Sequence, residues 1–451
     1  MRSFEPSGPL RGSLRPPPDK SISHRAAILA AMGEGETRIE GFLDAADTRS
    51  SLAAVEALGA RVSEREGSEI AGGADVTIAG VGLRGAGGSE PVAIDVGNAG
   101  TLLRLLPGWL AGQEGSSFTL DGDDSIRRRP VDRIAEPLRQ MGAQLDCRDD
   151  RLPPLGIDGR ALRGVKYKLP VASAQIKSCV LLAGLLAEGE TTVIEPSPSR
   201  DHSERMLRAA GAKVRSAVAG TDIAAHGSLP GRSVTITPRE RIALPNLQVP
   251  GDFSSAAFHI AAALIVPGSR VTVTDVGLNP TRVGLLGILT RMGAAIEVVE
   301  GIPVAGEPRG AITARHSNLH GTRVAPGEVP LAIDELPLVG LLGCFARGET
   351  VVTGAEELRH KESNRIEAVV SAISALGGEA EETADGFVVR GTEGVRGGSM
   401  DARGDHRLAM IGAVAGLASE RGVEVEMESA AISYPGFERD LSGLLRGPPP
   451  N

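Results

Sequence analysis

The chain has 451 residues, of which 41% are hydrophobic and 23% charged, so it has the composition of a globular protein with two or three domains. A net charge of -9 and a low aromatic content (one Trp, two Tyr, eight Phe) argue against nucleic acid or an anionic membrane as the main partner. The three cysteines, Cys147, Cys179 and Cys344, form no C-x-x-C pair, which fits a reducing compartment. No apolar run approaches the roughly 20 residues of a membrane span, and the N-terminus does not resemble a signal peptide. We therefore expect a cytoplasmic protein.

A pattern of helix, glycine and alternating strand recurs along the chain. The glycines that follow the five clearest helices are Gly59, Gly142, Gly211, Gly293 and Gly377. Their separations are 83, 69, 82 and 84 residues, and a sixth, degenerate copy is expected near 437–447. A second phrase, glycine followed by β-branched residues, predicts short strands that begin near residues 35, 189, 268 and 348. Six units of this length indicate two globular domains of three units each.

Two proline-containing stretches mark where the chain is expected to cross between the domains. They are SLRPPPDKS at 13–21 and ALPNLQVPGD at 243–252. We therefore predict one domain of residues 19–245 and a second of residues 1–18 plus 246–451. The chemistry is expected in the cleft between them.

The first basic motif along the chain is DKSISHR. Asp19 or Ser21 can cap the helix that follows, which leaves Lys20 at its positive end and Arg25 one turn further on. Such an arrangement binds anions. The alternative is an ordinary capped helix with solvated basic side chains. Lys20 is one of only six lysines among 48 basic residues, which favours a specific role for it.

Two more motifs of the first half have features of anion sites. In GNAGTLLR, the turn around Gly97 and Gly100 can direct backbone N–H groups at one point, with Thr101 opening a helix. An uninteresting turn is the alternative. In RRRPVDR, three arginines precede Pro130 at the start of a helix. Such a run is usually solvated, and we expect only Arg129 to turn inward.

Polar residues also stand at two further predicted helix starts. In SAQIKS, Ser173 and Gln175 precede a strongly apolar helix. In SPSRDHSE, Ser199 and Arg200 lie at the start of another. Side chains in such places either cap the helix or contact a ligand.

Two motifs of the second half combine acids and bases. In IDELP, Asp334 and Glu335 interrupt an apolar run, so at least one carboxylate must be paired, functional or a helix cap. In RHKESNR, Lys361 and Arg365 are four residues apart with Glu362 between them. A structural role is an equally reasonable interpretation of each motif.

A third motif of the second half, GDHRLAM, places Asp405, His406 and Arg407 at the start of an apolar helix. His316 and His320 are four residues apart but lack a third ligand, so we predict no metal site. The basic residues gather at helix starts without a Walker A motif or a kinase motif set. We therefore predict group transfer between phosphorylated or carboxylated small molecules, with no metal and no organic cofactor.

The phrases DKSISHR, GNAGTLLR, RRRPVDR, SAQIKS, IDELP, RHKESNR and GDHRLAM stand in the order found in one family. From about Pro9 to Phe437 the chain resembles the 5-enolpyruvylshikimate-3-phosphate synthases (3-phosphoshikimate 1-carboxyvinyltransferases). The resemblance implies an α/β fold of the α+β type, a two-domain clamp with three ββαβαβ-like repeats per domain and pseudo-threefold symmetry. It implies transfer of the enolpyruvyl group of phosphoenolpyruvate to the 5-hydroxyl of shikimate 3-phosphate through a tetrahedral intermediate, with release of phosphate. This reaction leads to chorismate and the aromatic amino acids, and we expect a monomer.

The resemblance also implies roles for individual residues. Those that match shikimate 3-phosphate contacts are Lys20, Ser21, Arg25, Ser173, Gln175, Arg200, Asp334 and Lys361. Those that match phosphoenolpyruvate contacts are Lys20, Gly100, Arg129, Gln175, Arg365 and Arg407. The reaction needs a base at the 5-hydroxyl and an acid at the methylene carbon. Asp334 is the candidate base, and Glu362 and Lys20 are the candidates for the methylene proton.

Two positions depart from the family pattern. Ile432 stands where many members carry a lysine that contacts phosphoenolpyruvate, and Ala174 stands where many have a second serine. Gly100 is retained, so we expect sensitivity to glyphosate. Two alternatives stay open. One is a UDP-N-acetylglucosamine enolpyruvyl transferase, although no cysteine lies in the RRRP loop. The other is an inactive anion-binding homologue.

Overall fold

The computed structural model describes residues 1–65, 67–219 and 230–446. Within these ranges the chain forms 13 α-helices and 23 strands, together with three short 3-10 turns. The strands are β1 (Arg2–Phe4), β2 (Arg11–Leu14), β3 (Glu36–Leu43), β4 (Arg61–Arg65), β5 (Gly73–Ala79), β6 (Val92–Asp95), β7 (Ser117–Asp121), β8 (Gln144–Arg148), β9 (Leu152–Asp158), β10 (Lys166–Lys168), β11 (Thr191–Glu195), β12 (Val214–Val218), β13 (Arg232–Ile236), β14 (Leu247–Gln248), β15 (Arg270–Gly277), β16 (Ala295–Glu300), β17 (Arg309–Arg315), β18 (Arg323–Val324), β19 (Glu349–Val352), β20 (Glu379–Thr383), β21 (Gly386–Arg390), β22 (Gly398–Met400) and β23 (Val423–Val425). The helices are α1 (Lys20–Met32), α2 (Ala46–Ala57), α3 (Gly100–Leu110), α4 (Asp132–Gln140), α5 (Ala174–Gly184), α6 (His202–Ala209), α7 (Phe253–Ile265), α8 (Gly284–Arg291), α9 (Val329–Ala332), α10 (Leu336–Cys344), α11 (Arg365–Ala375), α12 (His406–Ala418) and α13 (Phe437–Arg446).

The strands of the described residues form six small sheets, and five of them share one topology. In each of the five, a first strand is parallel to a second, the second is antiparallel to a third, and the third is antiparallel to a fourth, as in β6-β7-β9-β8. The sixth sheet, β22-β23-β1, follows the same scheme with three strands. The prediction of six repeats, the last one degenerate, is confirmed.

Glycine ends the outer helix of a repeat for a conformational reason. Gly59 after α2 has a φ angle of 99°, and Gly142 after α4 has a φ angle of 102°. L-amino acids with a side chain rarely adopt this left-handed region, so glycine allows the chain to leave the helix and enter the next strand. The other three glycines of the pattern also have positive φ angles. The five clear helix, glycine and strand units are therefore present as predicted, and α13 (Phe437–Arg446) lies where the sixth copy was predicted, whose last residue, 447, is outside the described residues.

The buried apolar residues form two cores. One collects residues between Ile22 and Val249, and the other collects Leu10 with residues between Phe253 and Leu444. Each core contains three helices that are buried nearly all round: α1, α3 and α5 in the first, and α7, α10 and α12 in the second. Because these helices are buried on nearly every face, sheets and other helices cover them. This gives the two-domain α/β architecture.

Two adjacent segments connect the halves. Pro18 and Gly251 form an antiparallel bridge, and Asp19 N donates to Pro250 O at 2.8 Å. Strands β1 and β2 pair with β23 and β15 of the second half, whereas β14 still pairs with β3 of the first. We propose that residues 19–249 form one domain and that residues 1–18 and 250–446 belong to the other. The second crossing then lies within the predicted stretch 243–252, four residues after the predicted domain boundary at residue 245.

Candidate active site

A cavity of about 270 Å³ is lined by residues of both halves. The starts of the six buried helices surround it, represented by Lys20 (α1), Gly100 (α3), Ala174 (α5), Asp252 (α7), Asp334 (α10) and His406 (α12). Helix N-termini carry partial positive charge and unpaired N–H groups, so six of them around one cavity favour anionic ligands. Residues predicted for the site that line the cavity are Lys20, Ser21, Arg25, Gly100, Arg129, Ser173, Gln175, Arg200, Asp334, Lys361, Glu362 and Arg407.

Helix α1 brings Lys20 to the cavity. Of the two predicted caps, Asp19 is the one used, since its carboxylate accepts from Ile22 N at 2.8 Å. Lys20 is the first helical residue, and its Nζ lies 3.2 Å from Asp47 Oδ2. Its backbone N donates to Asp252 Oδ2 at 3.2 Å, which ties α1 to the second half.

Arg25 lies one turn further along α1 and is buried. Its Nε donates to Ser203 Oγ at 2.8 Å, and its NH1 donates to Ser21 O at 2.9 Å. Burial lowers the pKa of Arg25 to about 10, although Glu204 opposes the shift. The guanidinium therefore stays charged at neutral pH and is held rigidly in the wall.

The turn before α3 differs from its prediction. Its N–H groups were expected to converge on an anion, but Gly97 N donates to Asp95 Oδ1 at 2.8 Å and Gly100 N donates to Asn98 O at 2.9 Å. These bonds close the turn itself. The helix begins at Gly100, one residue earlier than predicted.

Gly100 makes room for an arginine instead. A Cβ atom added there would lie 2.5 Å from Arg129 NH1. Arg129 NH2 donates to Asn98 Oδ1 at 2.9 Å, so this side chain turns inward, as expected for only one of the three arginines. Arg127 points outward and pairs with Asp121 at 2.8 Å. Helix α4 starts at Asp132, two residues after the predicted start at Pro130.

Helix α5 supplies Ser173 and Gln175. Ser173 is the N-cap and accepts from Ile176 N at 3.4 Å, whereas Gln175 lies inside the helix. Gln175 Oε1 accepts from Arg104 NH1 at 2.7 Å. Arg104 lines the cavity but was not predicted as a site residue, and burial lowers its pKa to about 10. The available signal was a single charge within the apolar run LLRLL.

Four cations lie within 4 Å of Asp334, a carboxylate of the cavity wall. Arg200 NH2 is 2.5 Å from Asp334 Oδ2, and Arg407 NH2 is 3.7 Å from the same atom. Arg365 NH1 and Lys361 Nζ lie 3.4 and 3.8 Å from Asp334 Oδ1. Burial alone would raise the pKa of Asp334, but the cations, led by Arg200, hold that pKa well below its ordinary value. This ion cluster joins the two halves across the cavity.

Arg365 is the one predicted site residue outside the described cavity lining. Its side chain is 1% exposed, its Nε lies 2.8 Å from Asp405 Oδ2, and its NH2 lies 2.7 Å from Glu362 Oε2. Asp405 is the N-cap of α12, and Arg365 is the first residue of α11. Lys361 precedes α11, so it does not share a helix face with Arg365. Arg365 therefore lies behind the cavity wall and pairs with two of its carboxylates, Asp334 and Glu362.

Two titratable groups face each other at the second-half wall. Burial alone would raise the pKa of Glu362, but Arg365 and other nearby cations hold it well below its ordinary value. Burial lowers the pKa of His406 to about 3, and the Lys20 ammonium adds to the shift. His406 is therefore neutral at neutral pH, and Glu362 is ionised. Burial also lowers the pKa of Lys361, although Asp334 opposes the shift.

The acidic pair of IDELP separates into two roles. Asp334 lines the cavity, whereas Glu335 is fully buried and lies 3.0 Å from Arg282 NH1. Arg282 also lines the cavity, and no sequence pattern pointed to it. Other lining residues that were not predicted are Asp47, Arg133, Arg151, Asp252, Glu357 and His360. Arg133, Asp252 and His360 stand in the quoted segments RRRPVDR, ALPNLQVPGD and RHKESNR, whereas the other three stand outside the quoted motifs.

Metal-binding clusters and membrane-spanning helices can be assessed for the described residues only. In ranges 1–65, 67–219 and 230–446, no group of three or more His, Cys, Asp and Glu is arranged to hold a metal ion. Within the same ranges, no helix has the length and apolar character to cross a membrane. The three cysteines are buried and, like Ile432, are not among the lining residues of the described cavity.

The family model for EPSP synthase (3-phosphoshikimate 1-carboxyvinyltransferase) matches residues 4–441 of the chain. The chain belongs to the EPSP synthase family. A 3-phosphoshikimate 1-carboxyvinyltransferase of Thermus thermophilus is 49% identical over 444 residues, which cover 97% of each chain. One of Anaeromyxobacter is 48% identical and covers 98% of this chain and 97% of its own length. An EPSP synthase structure from Acinetobacter baumannii superposes with a TM-score of 0.83 at 38% identity, over 98% of this chain and 97% of the other.

Membership in the EPSP synthase family confirms the resemblance found in the motifs and the two-domain fold. It also identifies the chain as an enzyme, a 1-carboxyvinyltransferase. The alternative assignment to UDP-N-acetylglucosamine enolpyruvyl transferases has no support, because the matching model and the relatives named above all carry the shikimate-specific name.

Proposed function

We propose that the chain transfers the enolpyruvyl group of phosphoenolpyruvate to the 5-hydroxyl of shikimate 3-phosphate and releases inorganic phosphate, on the route to chorismate and the aromatic amino acids. The family match supports this reaction. The observation that carries the assignment to this cavity is the position of Asp334, a carboxylate surrounded by four cations from both halves. Substrates with phosphates and carboxylates suit such a site.

Shikimate 3-phosphate is assigned mainly to the first half. Ser173 and Arg200 line the cavity beside the starts of α5 and α6, where helix ends favour an anionic phosphate. Arg25 and Ser21 extend the same wall. Gln175, Lys20, Asp334 and Lys361 complete the proposed set. A shikimate ring bound in this way has its 5-hydroxyl directed toward Asp334.

Phosphoenolpyruvate is assigned to the space between Gly100, Arg129 and Arg407. Gly100 has no side chain, which leaves room for the Arg129 guanidinium beside the start of α3. Arg129 and Arg407 approach this space from opposite halves. Lys20 and Gln175 are proposed to contact both substrates, and Arg365 to contribute through its charge behind the wall.

The first chemical step joins the 5-oxygen of shikimate 3-phosphate to C2 of phosphoenolpyruvate. The 5-hydroxyl proton leaves to a base, and a proton adds to the C3 methylene, which gives the tetrahedral intermediate. In the second step C3 loses a proton and the C2–O bond to phosphate breaks. We assign the base to Asp334 and the proton transfers at C3 to Glu362 and Lys20. The arginines stabilise the departing phosphate.

The cation contacts of Asp334 suggest how it can act as a base. Its pKa is held low by the nearby cations Arg200, Arg407 and Lys361. Substrate phosphates and carboxylates are stronger competitors for these cations. When they bind, Asp334 loses its partners and its pKa rises, so the carboxylate gains basicity next to the hydroxyl it must deprotonate.

We further propose that the enzyme acts as a cytoplasmic monomer without metal or organic cofactor. The test is phosphate release from phosphoenolpyruvate, measured with and without shikimate 3-phosphate, in the presence of EDTA. Release that requires both substrates and survives EDTA supports the assignment. Release without shikimate 3-phosphate, or none at all, contradicts it. Light scattering during elution from a sizing column tests the monomer.

A further inference from the structure

A short segment of the second half lies between two parts of the cavity wall. It comprises residues 279–282, with the sequence NPTR, and follows β15. Asn279, Thr281 and Arg282 are 1%, 7% and 3% exposed. Buried polar side chains of this kind need hydrogen-bond partners, and theirs lie on both sides of the cavity.

The first end of the segment contacts the residue that follows Arg200. Asn279 Nδ2 donates to Asp201 Oδ1 at 2.8 Å. Thr281 Oγ1 accepts from Asp201 N at 3.0 Å and also lies 3.1 Å from Asp201 Oδ1. Both the backbone and the carboxylate of Asp201 are thus held by residues of the other half.

The same contacts extend to the start of α6. Asn279 Nδ2 also donates to Glu307 Oε2 at 3.0 Å, and Glu307 Oε1 lies 2.9 Å from His202 Nδ1. Glu307 and His202 are 2% and 1% exposed. Asn279 therefore belongs to a closed, buried network that joins residues 201–202 of the first half to the second half.

The other end of the segment contacts the residue that follows Asp334. Arg282 NH1 donates to Glu335 Oε1 at 3.0 Å, and Arg282 NH2 lies 3.6 Å from Asp252 Oδ1. Burial alone would lower the pKa of Arg282, but Glu335 and Asp252 raise it, so the guanidinium is firmly ionised. Four consecutive residues thus reach the neighbours of both Arg200 and Asp334.

We propose that Asn279 and Thr281 are positioning residues, which act through Asp201 to hold Arg200 in register with Asp334. Neither belongs to the described cavity lining, whereas Arg200 and Asp334 do and are 2.5 Å apart. Small displacements of a substrate-binding group cost binding and rate, and fixed neighbours prevent them. The inference rests on the proposed function, because it takes Arg200 as a contact of shikimate 3-phosphate.

The first test compares Asn279→Ala with the wild-type enzyme. The KM for shikimate 3-phosphate is expected to rise on the order of tenfold, while the KM for phosphoenolpyruvate changes less than about twofold. Thr281→Val removes the hydroxyl at nearly constant shape and should give the same split, whereas Thr281→Ser should restore the wild-type KM. Equal rises in both KM values, or no change, would overturn the proposal.

Gln113→Ala is the matched control. Gln113 is a buried amide, 2% exposed, whose Nε2 donates to Leu83 O at 2.8 Å and Trp109 O at 3.1 Å within the first core. Its loss should lower the Tm as Asn279→Ala does but leave both KM values unchanged. If Gln113→Ala reproduced the KM split, general destabilisation would explain the effect and the proposal would fail.

A double variant separates this inference from the proposed function. Arg200→Ala alone should raise the KM for shikimate 3-phosphate, and an unchanged KM would refute the assignment of Arg200. In the Arg200→Ala background, Asn279→Ala should add less than about twofold, because its effect acts through the missing arginine. Fully additive effects would leave Arg200 as a substrate contact but overturn the role of Asn279.

Discussion

The two walls of the cavity differ in what caps their helices. In the second half, α7, α10 and α12 are preceded by carboxylates, namely Asp252, Glu335 and Asp405. In the first half, α1 is also preceded by a carboxylate, Asp19, but α3 is preceded by an alanine without a side-chain cap and α5 by the neutral Ser173. Two of the three helix ends of the first wall therefore lack a compensating carboxylate, whereas all three of the second wall follow one. We infer that the first wall mainly supplies anion affinity and the second mainly supplies proton transfer.

The largest expected effect comes from removing the base of the second wall. Asp334→Asn keeps the shape of the side chain but cannot accept the hydroxyl proton, so kcat should fall about 10³-fold. The KM for shikimate 3-phosphate should not rise, because Arg200 and Lys361 lose a competing anion. Steady-state phosphate release measures both constants. Asp158→Asn, which alters a carboxylate outside the cavity lining, is the control and should keep the wild-type kcat.

A kcat of Asp334→Asn within tenfold of the wild-type value would break the division between the walls. Asp334→Ala should fold normally and be equally inactive, as circular dichroism and the turnover assay can show. If both variants failed to fold, Asp334 would instead be needed for the structure of the interface between the halves.

The next largest effect is expected at the first wall. Gly100→Ala places a methyl group 2.5 Å from the present position of Arg129 NH1, so the guanidinium must move. The KM for phosphoenolpyruvate should rise on the order of tenfold or more, with a smaller change in the KM for shikimate 3-phosphate. Gly287→Ala is the matched control, because its added methyl group has no atom within 4 Å. A larger effect on shikimate 3-phosphate than on phosphoenolpyruvate would contradict the assignment of the α3 start.

A smaller effect is expected from the N-cap of α5. Ser173→Ala removes the acceptor for Ile176 N and a proposed hydroxyl contact to shikimate 3-phosphate. Loss of the cap should lower the free energy of unfolding by about 1 kcal/mol. The KM for shikimate 3-phosphate should rise roughly fivefold at constant kcat. Ser173→Thr should recover the cap. A fall in kcat instead would give Ser173 a part in the chemical step rather than in substrate binding alone.

The smallest effect concerns stability rather than turnover. His259 is buried in the second core, its Nε2 lies 2.9 Å from Tyr434 OH, and burial lowers its pKa to about 4 although Asp440 opposes the shift. As pH falls, the unfolded chain binds the proton near pH 6.5, whereas the folded chain resists it until about pH 4. The stability that neutral His259 contributes is therefore present above pH 6.5 and is lost between pH 6.5 and 4.

In His259→Gln, the loss of unfolding free energy between pH 6.5 and 4 should be smaller by at most about 3 kcal/mol. The kcat at pH 7.5 should be unchanged. Urea unfolding at several pH values measures the unfolding free energy. An unchanged slope would show that the acid sensitivity of the second half originates elsewhere, with the carboxylates of its cavity wall as the remaining candidates.

Local patterns predicted much of the fold. The glycines after the helices need only their own backbone conformation to act, so Gly59 and its equivalents marked the repeats correctly. The same holds for Asp19, which caps the helix that directly follows it. Turn geometry was less accessible, because the direction of the N–H groups near Gly97 and Gly100 depends on dihedral angles that residue types do not determine.

Site residues were predictable from the sequence where they stand in a recognisable motif. Residues whose role depends on contacts with distant segments were not predictable. Lys20 and Asp334 stand in recognisable phrases. Arg282 and Asn279 acquire their roles only because distant segments meet them, and no local pattern encodes such a meeting. Arg104 is an intermediate case. The sequence shows a single charge in an apolar helix, but it does not show that Gln175 is its partner.

The pairing of β1 with β23 bears on how the chain folds during synthesis. Residues 2–4 pair with residues 423–425, whereas the first half consists of one continuous stretch. A ribosome therefore releases everything the first domain needs early, and that domain can fold while the rest is still being made. The opening residues must wait for nearly the whole chain to emerge. The cavity is completed last, because its second wall belongs to the domain in which β1 pairs with β23.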